Sequence, residues 1–227
     1  MITLREYERI CDSYLDEFIN LTKNETYMPK GIYFSGLFAF CALCKHYNID
    51  TIIDSGTGKY GFSCKIFAKL FPTAHIYTID THELYNNLDG IKSILYGHNN
   101  ITFITGYSQD VIPNVMNTLT NKRVAIMYDG PKGKNAHLIQ LALSKYNNIL
   151  FTGYDDCGNN MYTRDSHNYM LKQQYLAFSD GDWFYDRYGF VDRHVAIYND
   201  NTKSIHNIRI INQKYPKGPG VCIIQHQ

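Results

Sequence analysis

Between Thr51 and Asp156 the chain passes five times from a short apolar run into other structure. The runs are Thr51 to Ile53, closed by Asp54, then "HIYTID", "NITFITG", "RVAIMYDG" and "NNILFTGYDD". Between them stand "SCKIFAKLF", "IKSILYGH", "SQDVIPNVMNTL" and "GKNAHLIQLALSKY". In the first of these, Ile66, Phe67 and Leu70 share one helical face, and Pro72 ends it. Pro113 is expected to kink its helix or delay the regular part. Strands alternating with helices predict a parallel sheet covered on both faces. "DSHNYMLKQQYLAFS" reads as a further helix. "RHVAIYN" and "GVCIIQ" are short alternating strands, and the turn signal "KGPG" precedes the second. The expected fold is α/β: a doubly wound, mostly parallel seven-stranded sheet with helices on both faces and a C-terminal antiparallel strand pair. One domain is expected over residues 1–227. Residues 1–47 would supply N-terminal helices, as a lid or a dimer contact, and 48–227 a Rossmann-like core.

Composition narrows the partners. The chain has 227 residues, 44% hydrophobic and 19% charged, with a net charge of +1. It is long enough to bury a core without staples. Near-neutral charge and the lack of a basic run disfavour nucleic acid as a partner. The longest apolar stretch, "GIYFSGLFAFCALC", is too short to span a bilayer, so no membrane is expected. The N-terminus mixes charges from the start and does not read as a signal peptide. Cys41 and Cys44 form a C-x-x-C inside an apolar helical run without a second pair, which reads as small core residues. Scattered cysteines fit a reducing, cytoplasmic compartment. Trp183, Phe184, Tyr185, Tyr188 and Phe190 read as packing under the final strands, with an acceptor pocket as the alternative.

Ligands of an open α/β sheet sit at the carboxyl ends of its strands. Asp54, Asp80 and Asp129 each close a predicted strand, and Asp155 and Asp156 follow the fifth. After Asp54, Gly56, Gly58 and Gly61 make a G-x-G-x-x-G turn. Asp80 is placed to accept hydrogen bonds from ribose hydroxyls, as in NAD or in S-adenosylmethionine. The turn separates the two. A pyrophosphate would be repelled by Asp54, whereas the ammonium of a methionyl group would be attracted to it.

Asp54-Ser55-Gly56-Thr57-Gly58 resembles the first motif of class I S-adenosylmethionine-dependent methyltransferases. Asp80 is similar to that family's ribose-binding acid, with Thr81 beside it. "TGYSQDVIP" resembles the adenine-contacting loop, with Tyr107 and Ser108 as candidates. "MYDGPKG" resembles the motif after the fourth strand and places Asp129 near the cofactor. "YDGPKG" followed by "FTGYDDCG" is similar to small-molecule O-methyltransferases of the macrocin and catechol type. The resemblance implies a Mg²⁺ ion on Asp129, Asp155 and Asp156 that binds the acceptor hydroxyl. Here Gly153-Tyr154 precedes the acidic pair, a departure from that pattern. Asp129, Asp155 and His167 are candidate bases. Lys132 is placed to pair with an acidic neighbour, to steer a substrate, or to lie solvated in its loop. Two other readings stay open: an NAD-linked oxidoreductase, favoured by the glycines alone, and a non-catalytic protein on the methyltransferase fold.

Overall fold

The computed structural model describes residues 1–28, 31–81, 97–157, 175–193, 196–199, 204–207 and 220–226. Its main sheet has seven strands: β2 (Thr51–Ser55), β3 (His75–Asp80), β4 (Ile101–Thr105), β5 (Val124–Tyr128), β6 (Ile149–Tyr154), β7 (Tyr175–Phe178) and β10 (Cys222–Gln225). Their spatial order is β4-β3-β2-β5-β6-β10-β7. The pairs from β4 to β6 are parallel, and β10 runs antiparallel to both neighbours. The chain lays down β2, β3 and β4 in one direction and then returns to start β5 on the other side of β2. That reversal leaves a crevice at the carboxyl ends of β2 and β5.

Both faces of the sheet are buried, and side chains alternate between them. Along β5, Ala125 and Met127 join one apolar cluster while Val124, Ile126 and Tyr128 join the other. The first face carries α1 (Leu4–Thr22), α2 (Phe34–His46) and α3 (Phe62–Leu70). The second carries α4 (Ser108–Met116) and α5 (Gly133–Ala142). Helix α2 is apolar on nearly every side, so it is buried on nearly every side. Phe40 packs its ring on Phe67 of α3 and Phe151 of β6. Cys41 and Cys44 are fully buried here, as core residues. The more amphipathic α1 lies outside α2, with the Tyr7 hydroxyl donating to the Ala39 carbonyl at 2.7 Å. Helix α4 begins at Ser108 and runs through Pro113 rather than starting after it.

The last third departs from the sequence reading in one pairing. Tyr175–Phe178, expected to be helical, is the edge strand β7, and it pairs with β10. Ala196–Asn199 (β8), expected beside β10, lies in a separate sheet ordered β1-β8-β9. There it runs parallel to β1 (Thr26–Tyr27) and antiparallel to β9 (Ser204–Asn207). Short edge strands are decided by which partner offers free backbone groups, and local pattern does not carry that information. The helix expected at "IKSILYGH" lies almost wholly outside the described residues. The aromatic segment forms α6 (Asp182–Tyr188) and a following 3₁₀ turn (Gly189–Arg193). Phe184 and Tyr188 pack on Tyr7 and Phe38, so this part of the segment is core.

Candidate functional site

The crevice is built from backbone that only glycine permits. Gly56 follows β2 with φ +121°, and a Cβ there would stand 2.3 Å from the Gly130 nitrogen. The turn after β2 and the turn after β5 therefore touch backbone to backbone. The amides of Asp129 and Gly130 both donate to the Ser55 carbonyl, at 2.7 and 2.6 Å. Gly58 has φ +62° with open space where a Cβ would point. Gly61 is the left-handed N-cap of α3, so it serves the start of the helix.

Three side chains fix this turn. Asp80, at the end of β3, accepts the Gly58 amide on Oδ2 at 2.9 Å and the Thr81 amide on Oδ1 at 2.7 Å. Burial raises its pKa, against the effect of those two donors. Thr57 points inward, with Oγ1 2.7 Å from Thr78 Oγ1. Asp54 lies beneath the turn and is fully buried. Its Oδ2 accepts from Ser63 at 2.8 Å and from Thr78 at 3.2 Å, while Oδ1 has no hydrogen-bond partner among the described residues. Burial pushes its pKa up to about 8, and the negative charges of Asp129 and Asp80 add to the rise.

A cavity of about 270 Å³ opens on the β3 side of the turn. Of the residues expected at a cofactor, Gly56, Asp80, Thr81, Tyr107 and Ser108 line it. Ser108 Oγ also lies 2.6 Å from Ser55 Oγ and ties the start of α4 to β2. Asp54, Thr57, Gly58 and Asp129, also expected at the cofactor, are not part of the lining. Gly106, Gln109, Gly130 and Pro131 also line the cavity, although they were not expected there. Gly106 and Gly130 had a readable signal, since each stands within two residues of a strand end. Gln109 had none.

On the other side of the β5 turn lies an acidic cluster. Asp129 follows β5, and Asp155 and Asp156 follow β6. Each offers a carboxylate oxygen, and these oxygens lie within 4.8 Å of one another. Asp155 is buried, and its Oδ1 has no hydrogen-bond partner among the described residues. Burial first, then the charge of Asp129, raises its pKa well above the usual carboxylate range, against the pull of Lys132. Asp156 holds a left-handed backbone, φ +56°, which is costly outside glycine.

Lys132 reaches into this cluster. Its Nζ lies 2.5 Å from Asp129 Oδ1, 2.9 Å from Asp156 Oδ2 and 3.4 Å from Asp155 Oδ2. Burial alone would lower its pKa, but the three carboxylates outweigh burial and hold the ammonium charged. The solvated-loop alternative for Lys132 is thereby excluded. Three oxygen donors at this spacing suit a hard divalent ion, provided that the ammonium moves aside. Tyr27 borders the same region: its ring lies 5.0 Å from Tyr33 and 5.6 Å from Phe62. Burial raises its phenol pKa, with Tyr33, Asp155, Asp192 and Asp129 adding to the rise. His167 lies outside the described residues.

No protein-family model and no curated protein matches the chain. Solved structures overlap it loosely. An O-methyltransferase from Bacillus cereus in complex with SAH is 13% identical with a TM-score of 0.45, over 96% of this chain and 90% of that one. The O-methyltransferase TomG from Streptomyces achromogenes, in complex with SAM, is 12% identical with a TM-score of 0.45, over 73% and 75%. A precorrin-6y C5,15-methyltransferase from Geobacter metallireducens is 14% identical with a TM-score of 0.40, over 76% and 77%. At such identities and overlaps, no activity transfers from these proteins to this chain. The strand order and the chemistry of the crevice have to carry the functional reading.

Proposed function

We propose that this chain is an S-adenosylmethionine-dependent methyltransferase that acts on an oxygen of a small-molecule acceptor. The observation that carries the reading is the cavity beside the glycine turn at the switch point, lined by Gly56, Asp80, Thr81, Tyr107 and Ser108. An acidic side chain at the end of β3 suits ribose hydroxyls, and Asp54 beneath the turn would ionise more readily beside a cationic methionyl group than beside a pyrophosphate. The adenosine half would lie in the cavity, with Asp80 and Thr81 at the ribose and Tyr107 and Ser108 at the base. Gly56, Thr57 and Gly58 would let the backbone approach the ligand, and Asp129 would close its far side. No described helix is long and apolar enough to cross a membrane. A net charge of +1 without a basic run favours a small acceptor over nucleic acid.

Bound S-adenosylmethionine would supply an electrophilic methyl group, passed in line to the acceptor oxygen as the carbon–sulfur bond breaks and the sulfur leaves with the electron pair as a neutral thioether. The hydroxyl proton passes to a base, for which Asp129, Asp155 and His167 are the candidates. A Mg²⁺ ion held by Asp129, Asp155 and Asp156 would lower the acceptor hydroxyl's pKa. Holding acceptor and methyl in line is the protein's larger contribution.

The deciding measurement is calorimetric titration with S-adenosylhomocysteine and, separately, with NADH. Binding of S-adenosylhomocysteine alone is expected. Binding of NADH alone would overturn the reading in favour of an oxidoreductase. If S-adenosylhomocysteine binds but no acceptor turns over, the chain is a non-catalytic member of this fold.

A further inference from the structure

We propose that the Lys132 ammonium is the built-in cation of the Asp129, Asp155 and Asp156 cluster, and that it competes with any divalent ion for that one place. The inference rests on the cation-cluster part of the reading above and is independent of the cofactor. Lys132 Nζ lies within 3.4 Å of an oxygen from each of the three carboxylates. A divalent ion on the same oxygens would sit roughly 2.0–2.6 Å from each. No room remains for both without bringing two cations almost into contact.

The cluster needs a cation to assemble. Two of its members come from the turn after β6, one of them in a left-handed backbone, and the third comes from the turn after β5. One ammonium faces three carboxyl groups. It leaves Asp155, whose side chain is 7% exposed, with Oδ1 unsatisfied. The site therefore holds together without metal and can still take one. The lysine stem has enough rotatable bonds to swing its head into solvent, and its side chain is already one-third exposed at 34%.

The test is Mn²⁺ titration followed by electron paramagnetic resonance on the wild type, Lys132→Met and Lys134→Met. Lys134 is exposed two residues further on and controls for simple loss of charge. Lys132→Met should bind Mn²⁺ at least tenfold more tightly than the wild type, and Lys134→Met should differ from it less than twofold. Adding Asp156→Asn to Lys132→Met should abolish the gain. Equal affinity in the wild type and Lys132→Met overturns competition for one place. An equal gain in both lysine variants overturns it as well, in favour of long-range repulsion. If Lys132→Met does not fold, Lys132→Gln keeps hydrogen-bonding capacity and gives the same comparison. No cofactor is present in this titration, so failure to bind S-adenosylhomocysteine would strike the methyltransferase reading and leave this one standing.

Discussion

At the scale of single residues, two glycines of one turn carry different constraints. A Cβ on Gly56 would collide with the backbone of Gly130, whereas one on Gly58 would meet nothing. Gly56→Ala should therefore cost about 3 kcal/mol, combining the collision with an unfavourable φ. Gly58→Ala should cost about 1 kcal/mol, from φ alone. Urea denaturation of the two variants checks the difference. Asp54 makes a second prediction. Its pKa in the folded chain, about 8, lies above the reference 3.8. Between those values the folded chain keeps a proton that the unfolded chain has lost. Asp54's stabilising contribution is thus full below the reference value and is lost as pH rises toward 8. Asp54→Asn should flatten this slope, which at its steepest is about 1 kcal/mol per pH unit. Denaturation midpoints measured from pH 5 to pH 8 give the readout. A slope equal to the wild type's would mean that Asp54 is ionised throughout.

At the scale of elements, helix α2 shows how pattern and environment agree. It has no polar stripe, so it can be stable only when surrounded, and α1, α3 and the sheet surround it. Phe40→Ala would leave a hole between Phe67 and Phe151 and should cost about 3–5 kcal/mol in thermal or urea unfolding. The start of α2 shows where pattern is silent. Its N-cap, Tyr33, makes no side-chain cap, but the carboxylate of Asp192 accepts the Ser35 amide at 2.8 Å from 157 residues away. A remote cap leaves no local signature. The edge strands are silent for a related reason. Tyr175–Phe178 and Ala196–Asn199 carry similar short apolar patterns, and only the free edge of β10 selects the first of them. By contrast, β5 and β6 are legible because burial on both faces demands apolar residues almost without break.

At the scale of the whole molecule, the order of strands decides where chemistry can happen. Reversal between β2 and β5 places Gly56 against Gly130 and opens the crevice beside them. The cavity lies on the β3 side of that contact and the acidic cluster on the other. Cofactor and acceptor would thus meet across one turn, Asp129 to Lys132. A ligand that binds only the folded chain stabilises it by mass action, so S-adenosylhomocysteine at about one hundred times its Kd should add about 2.7 kcal/mol. A shift of that size in the unfolding midpoint is an independent check on the calorimetric titration.

The sequence by itself determined the sheet-and-helix alternation and the acidic ends of the strands. It also determined the glycines that allow the chain to turn closely at β2. Each of these is written in local spacing, because burial period and backbone freedom act over a few residues. Only the tertiary structure decided that Asp54 lies beneath the turn and that Thr57 faces inward. It alone set Lys132 among three carboxylates from two separate turns and placed β7 rather than β8 beside β10. Those outcomes depend on distances between segments far apart in the chain. Such distances are fixed by which surfaces exclude water together, and no single stretch of residues specifies them.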